Sequence, residues 1–264
     1  MNSPGQAFEK LVSIVNTLMG ENGCPWDRVQ TRESLKPYLI EETYETLEAL
    51  DENDPDHIKE ELGDLLYQVL FHSKIAELKR EFTIDDLVNS LIEKMVRRHP
   101  HVFGKDTLST PSQVISQWDK IKKREKKYHS GSILETIPKQ LPGLLRAQKL
   151  QKIAAKEGFD WDRIEDVLLK LDEEIFEFKE AVQSGKRANM ESEFGDLLFV
   201  MVNIARHQNI NAEESLRATN RKFIQRFKYI ERRATESGKE LQDIPLEEME
   251  TYWQEAKKSL ENSP

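Results

Sequence analysis

Several features that would assign a protein to a class are scarce or absent in this chain of 264 residues. Cys24 is the only cysteine, so no internal disulfide can form, which suits a reducing compartment. No stretch approaches the ~18 consecutive apolar residues that a membrane-spanning helix needs. Residues 1–20 lack the basic region, apolar block and cleavage site of a secretory signal. The formal net charge of −9 argues against binding to a nucleic-acid polymer. We therefore expect a soluble, cytoplasmic protein without a membrane or nucleic-acid partner.

Common catalytic signatures are absent as well. The sequence contains no P-loop, no glycine-rich dinucleotide turn and no nucleophile triad. No segment of strand length alternates apolar and polar residues between turn signals. Apolar residues instead recur at helical spacing, which predicts an all-α fold.

What the sequence does contain is a repeated pattern of carboxylates. An E-E-x-x-E pattern at 41–45 and an E-x-x-D pattern at 61–64 recur, with the same separation, at 173–177 and 193–196. The acids of the first copy are Glu42, Glu45, Glu61 and Asp64. Adding 132 to each number gives the second copy, Glu174, Glu177, Glu193 and Asp196. Acidic pairs are common on solvated helix faces, and a duplicated structural helix pair would also repeat. A solvated face has no need to keep this spacing, so we interpret both copies as sites.

Helical geometry places these acids on shared faces. Apolar residues between positions 167 and 182 form one stripe, and one flank of it carries Lys170, Glu174 and Glu177. The matching flank of the next helix carries Asn189, Glu193 and Asp196. Two such helices packed together would bring four carboxylates to one edge of their contact. These carboxylates repel unless protons or cations intervene, and oxygen ligands without His or Cys favour Mg²⁺ or Mn²⁺.

The repeat extends beyond the acids and predicts two domains. The further matches are Gly23, Trp26 and Asp27 with Gly158, Trp161 and Asp162, Lys94 and Arg98 with Lys222 and Arg226, and Trp118 and Lys122 with Trp253 and Lys257. Their offsets are 135, 128 and 135, so short insertions separate the blocks. Residues 129–142 are rich in Gly, Ser and Pro and are typical of a linker. We therefore predict two homologous helical-bundle domains, 1–128 and 143–264, that arose by internal duplication.

Local signals predict several helix ends. Ser34 is the expected N-cap of the first acidic helix, with Pro37 in its first turn, and Pro100 should end the helix that carries Arg98. Residues 23–27 and 99–104 are expected to be loops. The two histidines at 99 and 101 are a weak metal signal, because no cysteine accompanies them.

Lys222, Arg226 and Trp253 add the other parts of a polyphosphate site. Lys222 and Arg226 are spaced i, i+4 on one helix, so both cations face the same way, and an arginine holds phosphate oxygens bidentately. Each residue also has a simpler interpretation, as surface charge or as core. Together with the acids they indicate a triphosphate site. A di-iron carboxylate bundle would use Glu-x-x-His, and here Asp64 and Asp196 take the histidine position.

These motifs resemble those of the MazG family of nucleoside triphosphate pyrophosphohydrolases, in its tandem form. The resemblance is carried by segments 23–27, 41–45, 61–66, 97–103, 158–161 and 193–199, and it covers nearly the whole chain. It implies the all-α NTP pyrophosphohydrolase fold and a homodimer. It also implies Mg²⁺-dependent hydrolysis of nucleoside triphosphates, with broad base selectivity, to the monophosphate and pyrophosphate.

The resemblance further implies a role for individual residues. Glu174, Glu177, Glu193 and Asp196 would be metal ligands, with the four acids of the first copy as their counterparts. Lys222 and Arg226 would contact phosphates. The nucleotide would be bordered by Trp253, by Lys170, Leu171, Asp172, Glu173 and Glu174, and by Asn189, Met190, Glu191, Ser192 and Asp196. Position 189 can be basic in relatives and is Asn189 here.

The expected chemistry is in-line attack of water on the α-phosphorus, with Glu173, Glu174 and Glu193 as catalytic carboxylates. Either Glu173 or Glu174 would position or deprotonate the water. We expect the second half to be the active one, because Pro100 stops the first-half helix two residues after Arg98. The alternative is a helical module that binds metal or nucleotide for regulation, without turnover.

Overall fold

The computed structural model describes residues 3–105, 107–126 and 131–261. Throughout these ranges the regular structure is helical and contains no β-strand, so the all-α prediction is confirmed. The chain divides into two compact units, Met1–Tyr128 and His129–Pro264. None of the helices described is both long enough and apolar enough to cross a membrane.

The first unit contains seven helices among its described residues. They are α1 (Pro4–Leu18), α2 (Pro25–Arg28), α3 (Arg32–Glu52), α4 (Pro55–Leu78), α5 (Ile84–Arg98), α6 (Pro100–Phe103) and α7 (Pro111–Lys126). α3 and α4 form the principal pair, and α1 and α5 pack on α4. The buried core consists of Val15, Met19, Leu35, Leu70, Phe71 and Ile75. Burial of these side chains supplies the main driving force for this unit.

The second unit repeats the plan. Its helices are α8 (Gly143–Lys156), α9 (Ile164–Ser184), α10 (Arg187–His207), α11 (Ala212–Glu236) and α12 (Leu246–Glu261), with short 3₁₀ helices at Ile133–Thr136 and Leu241–Asp243. α9 pairs with α10, α8 packs on α10 and α11, and α12 packs on α11. The α11–α12 contact buries Ile230, Ala234, Ile244 and Tyr252.

The start of α3 differs from the sequence-based expectation. Thr31, not Ser34, is the N-cap, and Ser34 is the third helical residue. The amide of Ser34 donates to Thr31 Oγ1 at 3.1 Å, and the amide of Thr31 donates to Ser34 Oγ at 2.9 Å. This reciprocal capping box satisfies two amides, which a cap at Ser34 alone would not do. Pro37 consequently lies inside the helix.

Two expected loops contain a turn of helix. Pro25 and Pro100 each occupy the first helical position, of α2 and α6, where a missing amide hydrogen costs nothing. α5 does end at Arg98, as expected. The described part of segment 129–142 holds the 3₁₀ helix Ile133–Thr136, which contacts α8, and Ile137 is buried. These residues therefore fold with the second unit.

Candidate active site

The turn between α9 and α10 sets the register of the acidic residues. Gly185 caps α9 with a φ of 67°, a left-handed conformation that glycine adopts without strain. Asn53, 132 positions earlier, caps α3 with a φ of 55°. Both units therefore join their acidic helices through a left-handed residue at the matched position. The short connection makes each pair an antiparallel hairpin.

Three carboxylates of the second copy converge across this hairpin. Glu174, Glu177 and Glu193 each place a carboxylate oxygen within 4.8 Å of the others. We call these three residues the C-cluster. Glu174 is 5% exposed, and its Oε2 has no hydrogen-bond partner among the described residues. Burial, reinforced by the charge of Glu174, raises the pKa of Glu177. The C-cluster thus gathers negative charge that the protein only partly compensates.

Lys170 supplies that partial compensation. Its Nζ lies 2.8 Å from an oxygen of Glu174 and 2.8 Å from an oxygen of Glu173, which raises the pKa of Lys170. One cation is thereby shared by two carboxylates. A buried carboxylate oxygen without a donor, beside two further carboxylates, fits a hard divalent cation.

Asp196 lies outside the C-cluster. It is exposed on α10, almost one turn after Glu193. The sequence predicted that four acids would meet, and three of them do so.

The remaining predicted nucleotide residues occupy two neighbouring stretches of α9 and α10. On α9, Asp172 and Glu173 are exposed and Leu171 is half-buried. On the first turns of α10, Asn189, Glu191 and Ser192 are exposed and Met190 is half-buried. Glu191 pairs with Arg187 at 2.6 Å.

A second group lies on α11 and α12. We call Lys222, Arg226 and Trp253 the C-cation group. The guanidinium carbon of Arg226 lies 5.4 Å from the centre of the Trp253 ring, a cation–π contact. Phe223 packs against the same ring at 5.3 Å. Arg226 Nε is buried without a hydrogen-bond partner in the described structure, and Lys222 is exposed. Within the described residues, no hydrogen bond or ion pair joins this group to the C-cluster.

The first unit has a corresponding acidic group. Glu42, Glu45 and Glu61 place carboxylate oxygens within 4.8 Å of one another, and Asp64 again lies outside the group and is exposed. We call these three glutamates the N-cluster. Gln68 Nε2 donates to Glu42 Oε1 at 3.4 Å. Burial is the main cause of the raised pKa of Glu42, and it also raises the pKa of Glu45.

A comparison with known protein families finds one domain twice in the chain, in agreement with the duplicated architecture. Residues 30–103 and 163–230 both match the MazG nucleotide pyrophosphohydrolase domain. The chain belongs to this family. The prediction from the motifs, an enzyme of the MazG family in its tandem form, is thereby confirmed.

MazG-family relatives match nearly the full chain. A protein of Thermotoga maritima named nucleoside triphosphate pyrophosphohydrolase/pyrophosphatase MazG is 46% identical over 97% of this chain and 98% of its own length. A nucleoside triphosphate pyrophosphohydrolase of Escherichia coli (strain K12) is 42% identical over 95% of this chain and 97% of its own. Uncharacterized protein YabN of Bacillus subtilis is 50% identical over 97% of this chain, which corresponds to 53% of YabN.

The two MazG units differ at the edge of their acidic clusters. Subtracting 132 from Lys170 and Asn189 gives Tyr38 and His57. His57 Nε2 lies 3.3 Å from Glu61 Oε1, and its Nδ1 lies 2.8 Å from Glu52, which raises the pKa of His57. Sequence reasoning missed His57, although the offset of 132 from position 189 would have found it.

Two arginines at the end of α5, in the first MazG unit, are paired with one carboxylate. Arg98 lies 2.5 Å from Glu125, and Arg97 lies 2.9 Å from the same carboxylate. Hydrogen bonds from Arg98 and Arg97 lower the pKa of Glu125 to about 2. Adding 135 to Glu125 gives Leu260, so the second unit has no acid at the matched position. This difference was also missed, and only the offset comparison could have revealed it.

His99 and His101 have structural contacts. His99 Nδ1 contacts the carbonyl of Met95 at 2.6 Å, and its ring packs edge-on against Trp118 at 4.9 Å. His101 Nδ1 contacts Gln117 at 3.2 Å. These contacts give both histidines a structural role between α6 and α7.

Proposed function

We propose that this chain hydrolyses nucleoside triphosphates to the monophosphate and pyrophosphate, in the cytoplasm, with the C-cluster as its catalytic centre and Mg²⁺ as its cofactor. The observation that carries the proposal is Glu174. Its carboxylate is buried, one oxygen has no hydrogen-bond partner among the described residues, and two further carboxylates lie within 4.8 Å. Leaving such charge buried is costly unless a cation compensates it.

Glu174, Glu177 and Glu193 would hold the metal, with Asp196 completing the set. When bound, Mg²⁺ neutralises the triphosphate and favours attack by water on the α-phosphorus. Manganese offers the same oxygen chemistry.

Glu173 is the carboxylate that we propose accepts the proton from water. Glu173 and Glu174 both pair with Lys170, but Glu174 is buried and would be occupied as a ligand. Glu173 is exposed on the same turn and can exchange a proton with solvent. Glu173→Gln should therefore lower kcat more than it weakens metal binding.

The C-cation group would bind the rest of the substrate. Arg226 offers a buried Nε–H without a hydrogen-bond partner in the described structure, and Lys222 adds an exposed charge on the same helix. Both suit the pyrophosphate part of the substrate, because guanidinium and ammonium groups bind phosphate oxygens. Trp253 contacts Arg226 and Phe223, and the exposed part of its half-buried ring would border the base. Contact with an aromatic ring does not distinguish between bases, which supports broad base selectivity.

We propose that hydrolysis takes place in the second unit. The N-cluster has the same carboxylates, but Arg98 is bound to Glu125 and would have to leave that pair to reach a phosphate. Arg226 would not have to break an ion pair to reach a phosphate, because no acid pairs with it among the described residues.

The test is pyrophosphate release from a panel of nucleoside triphosphates, with and without Mg²⁺. Glu193→Gln should remove activity, whereas Glu61→Gln should leave most of it. Glu180→Gln is the matched control, because Glu180 is exposed on α9 and lies outside the C-cluster. Equal losses in Glu61→Gln and Glu193→Gln would refute the assignment to one unit. Nucleotide binding without pyrophosphate release from any member of the panel would favour the non-catalytic regulatory module.

We also propose that the chain is a homodimer. Large apolar side chains are exposed on the helices of the second unit, among them Phe176 at 60%, Phe194 at 52% and Phe223 at 56%. Extensive exposed apolar surface is typical of an interface. Sedimentation should give twice the chain mass, and Phe176→Glu should shift it toward the monomer.

A further inference from the structure

A groove of about 610 Å³ lies along α7 in the first unit, and no residue of the N-cluster lines it. Leu108 and Ile121 provide apolar wall. Ser112, Ser116, Lys120 and Arg124 provide hydrogen-bond donors. None of the nine lining residues is acidic, although the chain carries 48 acidic and 39 basic residues. The groove is therefore lined by basic and not by acidic side chains, although the formal net charge of the protein is −9.

The second unit shows why this groove is open. The residues of α12 that match Gln117 and Ile121 at the offset of 135 are Tyr252 and Ala256, and both are buried. Tyr252 packs with Ile230 and Ala234 of α11. These two residues lie beyond Arg226, in the part of α11 that continues to Glu236.

The first unit lacks that covering segment. α5 ends at Arg98, the residue that matches Arg226, and Pro100 then starts the short α6. The matching residues of α7, Gln117 and Ile121, are half-buried where Tyr252 and Ala256 are buried, and Gln117 contacts His101 of α6. Pro100 instead forms part of the groove wall.

One position on this face carries opposite charges in the two units. In the second unit Glu255 accepts a hydrogen bond from Tyr229 Oη at 3.2 Å and lies 3.4 Å from Arg233. The matched residue in the groove is Lys120. Lys120 and Arg124 are spaced i, i+4, so their side chains share a face. Neither has an ion-pair partner in residues 3–105, 107–126 and 131–261. The first unit thus has Lys120 and Arg124 at the positions where the second unit has Glu255 and Ser259.

We propose that this groove binds a small phosphate-bearing organic anion, with a nucleoside monophosphate as its prototype. Lys120 and Arg124 bind the phosphate, since an arginine and a lysine together supply a bidentate fork and a point charge. Ser112 and Ser116 donate hydrogen bonds, and Leu108 and Ile121 contact the apolar part of the ligand. The volume lies in the range of small-molecule sites, about 300–1,000 Å³. The proposal goes beyond hydrolysis and does not depend on it.

The test is calorimetric titration with AMP, in EDTA, of the full chain carrying Arg226→Ala. EDTA removes metal-dependent binding at the C-cluster, and Arg226→Ala weakens metal-independent binding at the C-cation group. Lys120→Glu and Arg124→Glu should each weaken AMP binding by about tenfold or more, the loss of one good charge-assisted contact. Lys10→Glu is the matched control. It makes the same change in net charge at an exposed position on α1 and should change the affinity by less than about twofold.

Inorganic phosphate is the second probe and should bind more weakly than AMP, because it cannot use the apolar wall. The proposal is overturned if Lys120→Glu leaves AMP binding unchanged, if Lys10→Glu weakens it equally, or if phosphate binds as tightly as AMP. Loss of the proposed hydrolysis would affect none of these readouts, since all are measured without metal.

Discussion

Glu193→Gln should make the metal-free protein more stable while it removes activity. Glu193 faces Glu174 across the α9–α10 hairpin, with their carboxylate oxygens within 4.8 Å. Glutamine keeps the shape of the side chain and removes its charge. If the C-cluster exists to hold a cation, the same change should relieve repulsion in the metal-free state and delete a ligand in the metal-bound state.

The size of the relief follows from Coulomb's law. Two unit charges about 4.8 Å apart repel by roughly 1 kcal/mol in water and by roughly 3.5 kcal/mol at an effective dielectric constant of about 20. Glu174 is buried and Glu193 is half-buried, so the value should lie between these limits. A domain of this size gains about 2–4 °C in Tm for each kcal/mol. We expect the metal-free variant to melt about 2–14 °C above the wild type at pH 7.5, by the same conversion.

The assay is thermal unfolding in EDTA and again in Mg²⁺, together with pyrophosphate release. Mg²⁺ should raise the Tm of the wild type by mass action and should raise that of Glu193→Gln much less. Activity should fall by more than about 100-fold, since even changes around a metal ligand cost about 10–100-fold. Glu180→Gln should reproduce the wild type in every measurement. The reasoning fails if Glu193→Gln is less stable than wild type in EDTA, or if it keeps its Mg²⁺-dependent activity.

Three further predictions concern the differences between the units and their titration. Arg226→Ala should lower kcat/KM for nucleoside triphosphates by about 10–100-fold, a typical cost of losing a charged phosphate contact, and Arg98→Ala should have little effect in the same assay. Glu125→Gln should destabilise the first unit at pH 7. Because the pKa of Glu125 in the folded protein is lowered to about 2, this loss of stability should shrink as the pH falls from about 4.5 toward 2. A difference in Tm between variant and wild type that does not change with pH would contradict this prediction. Because burial raises the pKa of Glu177, protons compete with the cation there, so the apparent Mg²⁺ affinity should increase as the pH rises from 4.5. Glu177→Gln should flatten that rise in a titration followed by calorimetry.

Local spacing is what made the acidic helices predictable. The side chains of a helix repeat every 3.6 residues, so the positions of Glu174 and Glu177 on one flank follow from the sequence alone. The turn at Gly185 then fixes how α9 and α10 pair, and three acids meet as predicted. Asp196 also lies on the predicted helix but stays outside the group, because its place depends on how the two helices rotate against each other. Sequence spacing does not determine that rotation.

Contacts between distant residues were not predictable in this way. Glu125 lies 27 residues from Arg98, and its carboxylate neutralises the first-unit arginines only because α7 returns to the end of α5. The N-cap at Thr31 was missed for a different reason, since both Thr31 and Ser34 are good caps and the reciprocal bonds decide between them.

The two units differ in the length of the helix that carries the matched arginine and in the residues that surround this arginine. α5 ends at Arg98, whereas α11 continues to Glu236, ten residues beyond Arg226. The longer helix covers α12, buries Tyr252 and leaves Arg226 beside Trp253 without an acidic partner among the described residues. Beside the shorter helix, Arg98 pairs with Glu125, and the groove with Lys120 and Arg124 lies along α7. The shorter helix and the substitutions on α7, where Glu125 matches Leu260 and Lys120 matches Glu255, together distinguish the first unit from the second. The N-cluster on α3 and α4 is present all the same. The acidic hairpin is thus kept in both units, while the surroundings of the matched arginines Arg98 and Arg226 diverge.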